Sequence, residues 1–284
     1  MLRRSNDLHD GTGHPSLGPG PVLFGILNVT PDSFSDGGEF FGAGPAVARA
    51  IELLDEGAHV LDVGGESTRP GSDPVSPDEE TRRVVPVVRG VLQARPETTI
   101  SVDTYRASTA EAALDAGASM VNDVTALGGD SRMAGLVAER GCPVVLMHML
   151  GEPKTMQQDP RYGDVVGEVR DYLAARAEEA IAAGIDPSNV VLDPGIGFGK
   201  TLEHNLKLLG ELDAIADLGF PVLVGTSRKG FLGKITGSDD PRERVFGTVA
   251  TSVMAYERGA TLFRVHDVRA NREALQVAAA VSGI

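Results

Sequence analysis

The chain has 284 residues, is 42% hydrophobic and carries a formal net charge of −14. That length and apolar content suit one large α/β domain, or two small ones, with a substantial buried core. The negative charge argues against nucleic acid or an anionic membrane surface as partner, and an anionic small substrate would need Arg and Lys gathered locally against the overall field.

Cys142 is the only cysteine, which excludes an internal disulfide and a Cys-rich metal site and fits a reducing, cytoplasmic setting. Residues 1–20 begin with Arg3 and Arg4, but Ser5 to Gly20 is rich in Gly, Pro, His and Asp and contains no apolar core. They read as a disordered lead, not a signal peptide. No stretch approaches the roughly 18 apolar residues of a membrane span, so a soluble protein with no membrane partner is expected.

From there the chain alternates short apolar runs with segments of helical period. The runs are Val22 to Asn28, His59 to Gly64, Thr99 to Asp103, Ser119 to Asp123, Pro143 to His148, Val190 to Asp193, Val222 to Ser227 and Leu262 to Asp267. Between the first two, Ala46 to Glu56 follows Pro45 and sets Val47, Ile51 and Leu54 on one stripe, which predicts an amphipathic helix. Six helical segments end in a glycine just ahead of the next apolar run, at Gly57, Gly117, Gly141, Gly184, Gly219 and Gly259, where a helix takes its left-handed cap. Near-continuous hydrophobic strands imply a parallel sheet covered by helices. About eight such units over roughly 250 residues predict a TIM (β/α)8 barrel spanning residues 21–284 as a single domain, in preference to an open doubly wound sheet.

Two segments are too polar and too rich in Gly and Pro for regular structure: Thr30 to Gly44 after the first strand and Thr68 to Pro77 after the second. Long loops in a compact domain are commonly lids or binding loops, although either one alone reads equally well as a surface insertion.

In such a barrel the chemistry sits at the C-terminal ends of the strands, and here the strand ends are polar while the starts are bland. In order the ends carry Asn28, Glu66 to Arg69, Asp103, Asn122 with Asp123, His148, Asp193, Ser227 to Lys229, and Arg264 to Asp267. Any one of these could be a cap or turn residue; the whole rim is harder to explain that way. Asp193 closes the apolar run Val190-Val191-Leu192 ahead of a Pro-Gly break, and a carboxylate at the edge of an apolar interior needs a donor or a cation to meet it.

The rim residues fall into two sets. Asp103, Asn122, Asp193 and Lys229 could bind a flat heterocycle through its amino and amide N–H groups, with Lys229 supplying charge balance; the plainer reading is an internal ion pair between Lys229 and one Asp. Asn28, Arg69, Arg264 and His266 suit an anion. Arg presents a planar donor fork for phosphate oxygens, and a neutral oxygen from Asn28 suits a Mg²⁺ ion that keeps several waters and is shared with a pyrophosphate. His266 alone is weak evidence, but its spacing of two from Arg264 puts both on one strand face. Pro194 to Thr201, PGIGFGKT, imitates a nucleotide loop and fails as one, because Pro194 stands where the first Gly is needed and Lys200 where a dinucleotide fingerprint needs its third. Neither H-E-x-x-H nor G-x-S-x-G occurs, so a zinc protease or an α/β-hydrolase is unsupported.

At these positions the chain resembles the dihydropteroate synthase family. The matching stretches are NVTPDSFSDGG from Asn28, DVGGESTRPG from Asp62, SVDT from Ser101, NDV from Asn122, LMHM from Leu146, LDPGIGFGK from Leu192, SRKGFLG from Ser227 and RVHDV from Arg264. They run from first strand to last. The resemblance implies a pterin-binding TIM barrel, commonly a homodimer, that condenses 6-hydroxymethyl-7,8-dihydropterin pyrophosphate with p-aminobenzoate, the target of sulfonamide analogues, in folate biosynthesis. It further implies that Asp103, Asn122, Asp193 and Lys229 hold the pterin, with Met147, Phe198 and Gly225 lining the pocket. Asn28, Arg264 and His266, with Thr68 and Arg69 nearby, would take the pyrophosphate and Mg²⁺, and Phe34, Asp36 and Pro70 would belong to lids over p-aminobenzoate. Two positions depart from the family pattern: Gly230 stands where a Ser is usual after Ser-Arg-Lys, leaving only a backbone N–H for the p-aminobenzoate carboxylate, and Val124 to Leu127 replaces a smaller Ser-Gly-Gly type. Two other readings stay open: a catalytically silent pterin-binding relative, and the methyltetrahydrofolate:corrinoid methyltransferases, which share an Asp-Asn-Asp pterin pocket but have no need of the Glu66 to Gly71 loop or the Arg264 to His266 pair.

Overall fold

The structure is a computed structural model that describes residues 20–30, 43–67 and 73–283. The expected lead, apart from Gly20, residues 31–42 of the first long loop and residues 68–72 of the second lie outside the described residues. Eight strands form one sheet: β1 Val22–Asn28, β2 Val60–Gly64, β3 Thr99–Asp103, β4 Met120–Asp123, β5 Val144–Met147, β6 Val190–Asp193, β7 Leu223–Val224 and β8 Leu262–Val265. The order is β6-β5-β4-β3-β2-β1-β8-β7, and neighbours pair in parallel. A parallel bridge between Leu192 and Val222 joins the two outer strands, with Leu192 donating its N–H to the Pro221 carbonyl at 2.9 Å. The sheet is therefore closed into the expected TIM barrel.

Among the described residues ten helices cover the barrel: α1 Ala43–Glu56, α2 Pro77–Ala94, α3 Ala107–Asp115, α4 Met133–Arg140, α5 Val165–Ala182, α6 Leu202–Gly210, α7 Asp213–Ala216, α8 Gly230–Thr236, α9 Val245–Tyr256 and α10 Val268–Ser282. The six punctuating glycines have positive φ between 60° and 109°, as a left-handed cap requires. Helix α1 corrects the sequence reading in two ways. It starts at Ala43, so Pro45 lies within its first turn, and its buried stripe is Ala46, Ala50 and Leu53. Val47 and Leu54 pack on its flank against the core instead. Small residues on the buried face let the helix approach the sheet closely, and the larger ones fill the groove to the side. Strand β7 is also shorter than the run Val222 to Ser227. After two ladder residues the chain turns toward α8, with Lys229 donating its N–H to the Thr226 carbonyl at 3.2 Å.

Two cores follow from the strand alternation. The outward residues, such as Leu61, Val102, Leu146, Leu192 and Phe263, pack under the helices. The inward ones form a separate cluster of Val22, Phe24, Val60, Met120, Val145, Val191, Leu223 and Leu262, which fills the N-terminal half of the lumen. Because side chains alternate with a period of two, the next inward positions are Asp62, Asn122, Met147, Asp193, Gly225 and Arg264. Strand β3 adds Ser101 and Asp103, paired in register with Asp62 and Gly64. The lumen thus changes from apolar to polar at one level, and everything above that level faces the C-terminal mouth.

Candidate active site

The two expected sets are not separate, because Arg264 joins them. Its Nε donates to Asp62 Oδ2 at 2.5 Å and its terminal nitrogen to Asp103 Oδ2 at 2.7 Å. Asn122 Nδ2 donates to the same Asp62 oxygen at 3.1 Å. Arg264, grouped above with the anion set, is thus also the counter-ion of the acids, its guanidinium spanning strands β2, β3 and β8 across the lumen. Burial works against the charge on Arg264, but Asp62 and Asp103 outweigh it and hold the guanidinium protonated.

The acids are poised near neutrality. Burial pushes Asp103 up to about 7, with Arg264 opposing and Asp62 adding to the rise. Burial likewise raises Asp193 to about 6, opposed by the Gly195 N–H and by Lys229, Arg264 and Lys200. The donor that Asp193 was expected to need is that N–H, which reaches Asp193 Oδ1 at 2.7 Å. Lys229, at the N-cap of α8, holds its Nζ 3.9 Å from the centre of the Phe198 ring. Arg228 immediately before it has φ of +58°, a strained setting for a non-glycine residue, fixed by bonds from its N–H to Thr248 Oγ1 and from its side chain to Asp267. Lys229 is near enough to Asp193 to oppose the rise of its carboxyl.

On β8 and beyond, His266 lies two residues past Arg264 and is held by Ser227. The Ser227 hydroxyl oxygen accepts the backbone N–H of His266 at 3.0 Å and lies 2.9 Å from its Nδ1. Asn28 ends β1 opposite Gly64, so it reaches the same rim. Gly64 and Gly225 leave room there: a side chain on Gly64 would begin 3.5 Å from Asp103, and one on Gly225 3.8 Å from Arg264. Gly230 opens α8, and Met147 is buried at the end of β5. Phe34, Asp36, Thr68, Arg69 and Pro70 lie outside the described residues.

Other rim residues turn out to be the caps and braces that the plainer reading allowed. Asp123 points outward and accepts from Thr125 N, Thr125 Oγ1 and Leu127 N. It thereby fixes Ala126 and Leu127 at φ of +50° and +65°, which gives the departure from a Ser-Gly-Gly type a physical meaning: a side chain is carried where glycine would rest without strain. Glu66 accepts from Val75 N, Tyr105 and Arg106 at the foot of the second long loop.

Two residues escaped the sequence reading. Asp62 is completely buried, and its Oδ1 has no hydrogen-bond partner among the described residues. Its signal was available: an acid inside an apolar strand, in the inward phase and beside Ser101. Lys200 is buried beneath the loop that follows Asp193, where its Nζ lies 3.0 Å from His148 Nδ1. In the sequence it read only as the spoiler of a nucleotide motif.

With that geometry in place, comparisons with known proteins converge. Residues 24–266 match the model of the pterin binding enzyme family. A dihydropteroate synthase of Synechocystis sp. is 46% identical over 276 residues, covering 94% of this chain and 95% of that protein. The structure of Xanthomonas albilineans dihydropteroate synthase with 4-aminobenzoic acid superposes with a TM-score of 0.88 at 46% identity, over 94% of each chain. The same enzyme in complex with 7,8-dihydropteroate gives 0.85 at 44% identity, over 94% of this chain and 95% of that one.

Proposed function

The chain belongs to the pterin binding enzyme family, and from that premise we propose that it is a dihydropteroate synthase, a transferase that joins 6-hydroxymethyl-7,8-dihydropterin pyrophosphate to p-aminobenzoate and releases pyrophosphate. The observation that carries the reading is the meeting of Asp103, Asn122 and Asp193 with Arg264 in one lumen, acids beneath and cationic groups beside them. A silent pterin binder needs the acids and the amide alone. The Arg264 and His266 pair and Lys229 are what a departing diphosphate requires, and they distinguish this site from a methyltransferase pocket as well.

The pterin lies across the mouth, its N–H groups on the carboxylates of Asp103 and Asp193, with Asn122 serving as donor and acceptor. The bond between the methylene carbon and the pyrophosphate oxygen breaks first, and its electron pair leaves with the oxygen. The remaining cation is spread through the electron-rich dihydropterin, and the carboxylates of Asp103 and Asp193 stabilise it from fixed positions. Arg264 and His266, two residues apart at the end of β8, face the departing anion. Ser227 accepts the His266 backbone N–H and lies 2.9 Å from its Nδ1, which orients the imidazole. The neutral amine of p-aminobenzoate then attacks the methylene carbon and sheds a proton. Lys229 lies between the pterin wall formed by Phe198 and the start of α8 at Gly230, whose N–H groups suit the benzoate carboxylate.

The donor set fits a magnesium ion carried largely by substrate. Among the described residues no group of three His, Cys, Asp or Glu could hold a metal, and Asn28 supplies one neutral oxygen at the rim. Asn28 would hold the ion, which when bound supplies positive charge to the diphosphate oxygens.

A homodimer is part of the same reading. Helices α6, α8 and α9 pack on one another and leave Leu206, Ile235, Phe246 and Met254 exposed, with Phe246 87% accessible, an apolar face suited to a second copy of the chain. A cytoplasmic location accords with the lone buried Cys142 and with the fact that no helix among the described residues is long and apolar enough to cross a membrane.

The test uses purified protein, Mg²⁺, dihydropterin pyrophosphate and labelled p-aminobenzoate, followed for dihydropteroate and pyrophosphate. Formation of both that ceases on addition of EDTA is expected. Pterin binding without product would mark a silent binder, and methyl transfer from methyltetrahydrofolate to a corrinoid would overturn the reading in favour of the methyltransferase.

A further inference from the structure

Lys200 is a buried ammonium that the reaction does not use, and its surroundings say what it does. It is 3% exposed, and its Nζ donates to the Gly195 carbonyl at 2.9 Å and the Phe198 carbonyl at 3.0 Å, with His148 Nδ1 at 3.0 Å. Three donors meet three acceptors, with the His148 carbonyl at 3.4 Å as a fourth neighbour. Burial lowers His148 to about 3, with Lys200 adding to the fall, so its ring is neutral and accepts. The loop from Pro194 to Lys200 is wound around its own terminal amine, which burial lowers to about 7 against the pull of Asp193. Gly195 has φ of +65°, and a Cβ there would stand 1.9 Å from the His148 carbonyl oxygen, so the winding leaves no slack.

Both loop residues that Lys200 grips touch the pterin subsite. The peptide of Gly195 is held from two sides, its N–H on Asp193 Oδ1 at 2.7 Å and its carbonyl on Lys200. Phe198, gripped through its carbonyl, carries the ring over which Lys229 lies at 3.9 Å. Two other loop carbonyls have separate anchors: Gln157 binds that of Gly197 at 2.6 Å and Tyr162 that of Gly199 at 2.9 Å. The Gly195 carbonyl also accepts the Phe198 N–H at 3.0 Å, so the two gripped residues are tied to each other, and Lys200 is the side chain that anchors the pair to the loop's end and to His148.

We propose that Lys200 is a positioning residue for the pterin subsite, fixing the Asp193 carboxylate through Gly195 and the Lys229 ammonium through Phe198. This rests on the dihydropteroate synthase reading above. The test compares wild type with Lys200→Met, which keeps the aliphatic stem, and Lys200→Gln, which keeps an N–H donor on a side chain one bond shorter. Thermal unfolding, calorimetric binding of dihydropterin pyrophosphate, and KM for each substrate are measured. For Lys200→Met the expected result is a folded protein with pterin Kd and KM raised about tenfold and p-aminobenzoate KM within about twofold of wild type; Lys200→Gln should fall in between. Unaltered pterin binding in both variants overturns the proposal, as does an equal rise in both KM values, and so does failure of both to fold, which would make the cage a support of the barrel as a whole. The wild type distinguishes the two levels: if it neither binds the pterin nor forms product, the functional reading has failed, whereas wild-type binding with unaltered variants removes only the role of Lys200.

Discussion

Replacing Asp103 with Asn should separate chemistry from folding. Burial lifts the Asp103 carboxyl from 3.8 to about 7, against the pull of Arg264. A raised folded pKa means that the native protein holds this proton more tightly than the unfolded chain does. Wild-type stability therefore falls as pH rises through the window from 3.8 to about 7 and is level above it. Carrying the charge at pH 8 therefore costs about 4 kcal/mol. That cost is already net of the pull of Arg264; Asn escapes it and can still accept a neutral hydrogen bond from the guanidinium. The variant should thus be more stable than wild type at pH 8, by up to about 4 kcal/mol, and the gap should narrow through pH 5 and close below pH 4, where the carboxyl is protonated in both the native and the unfolded chain. Turnover should move the other way: kcat/KM should drop on the order of 10²–10³ because one of the two charges facing the developing cation is gone. Urea unfolding across that pH range and steady-state kinetics on the same preparations measure both. Wild-type turnover in the variant, or a stability gap indifferent to pH, would refute the electrostatic argument.

Asp62→Asn should raise the KM for the pterin substrate about tenfold, equivalent to about 1.4 kcal/mol, with the fold intact, because Asp62 tethers both Asn122 and Arg264; unchanged kinetics would show that neither tether matters. Gly195→Ala should destabilise the protein by at least about 3 kcal/mol in urea titration, since its Cβ would meet the His148 carbonyl oxygen at 1.9 Å in a left-handed backbone. Phe246→Glu should turn a dimer into monomers in sedimentation velocity while each monomer keeps its secondary structure; a wild type that sediments as a monomer would remove the proposed interface.

The barrel was legible because its signals are local. Alternating apolar runs, helix segments and left-handed glycines such as Gly117 and Gly184 repeat at short range, and each half-buried element reports its own period. The strand-end residues were legible as a rim because parallel strands all finish on one side. What the sequence withheld were pairings across the lumen. Arg264 and Asp103 are 161 positions apart, and no local rule says that a cation on the last strand reaches acids on the second and third. Asp62 was passed over because a run such as His59 to Gly64 is read for its apolar majority. Lys200 was hidden by its motif. The stripe on α1 was displaced by one position because Val47, Ile51 and Leu54 are greasier than Ala46, Ala50 and Leu53, while close packing against a sheet favours the smaller set.

The plug of Val22, Phe24, Val60, Met120, Val145, Val191, Leu223 and Leu262 makes the barrel a blind shaft. Whatever rests on Asp193 and Asn122 has only one way in and the same way out. A reactant seated at that depth must arrive before anything lodged nearer the opening, and it stays trapped for as long as the outer guest remains. Traffic through the enzyme is thereby queued by shape alone, before any affinity is considered.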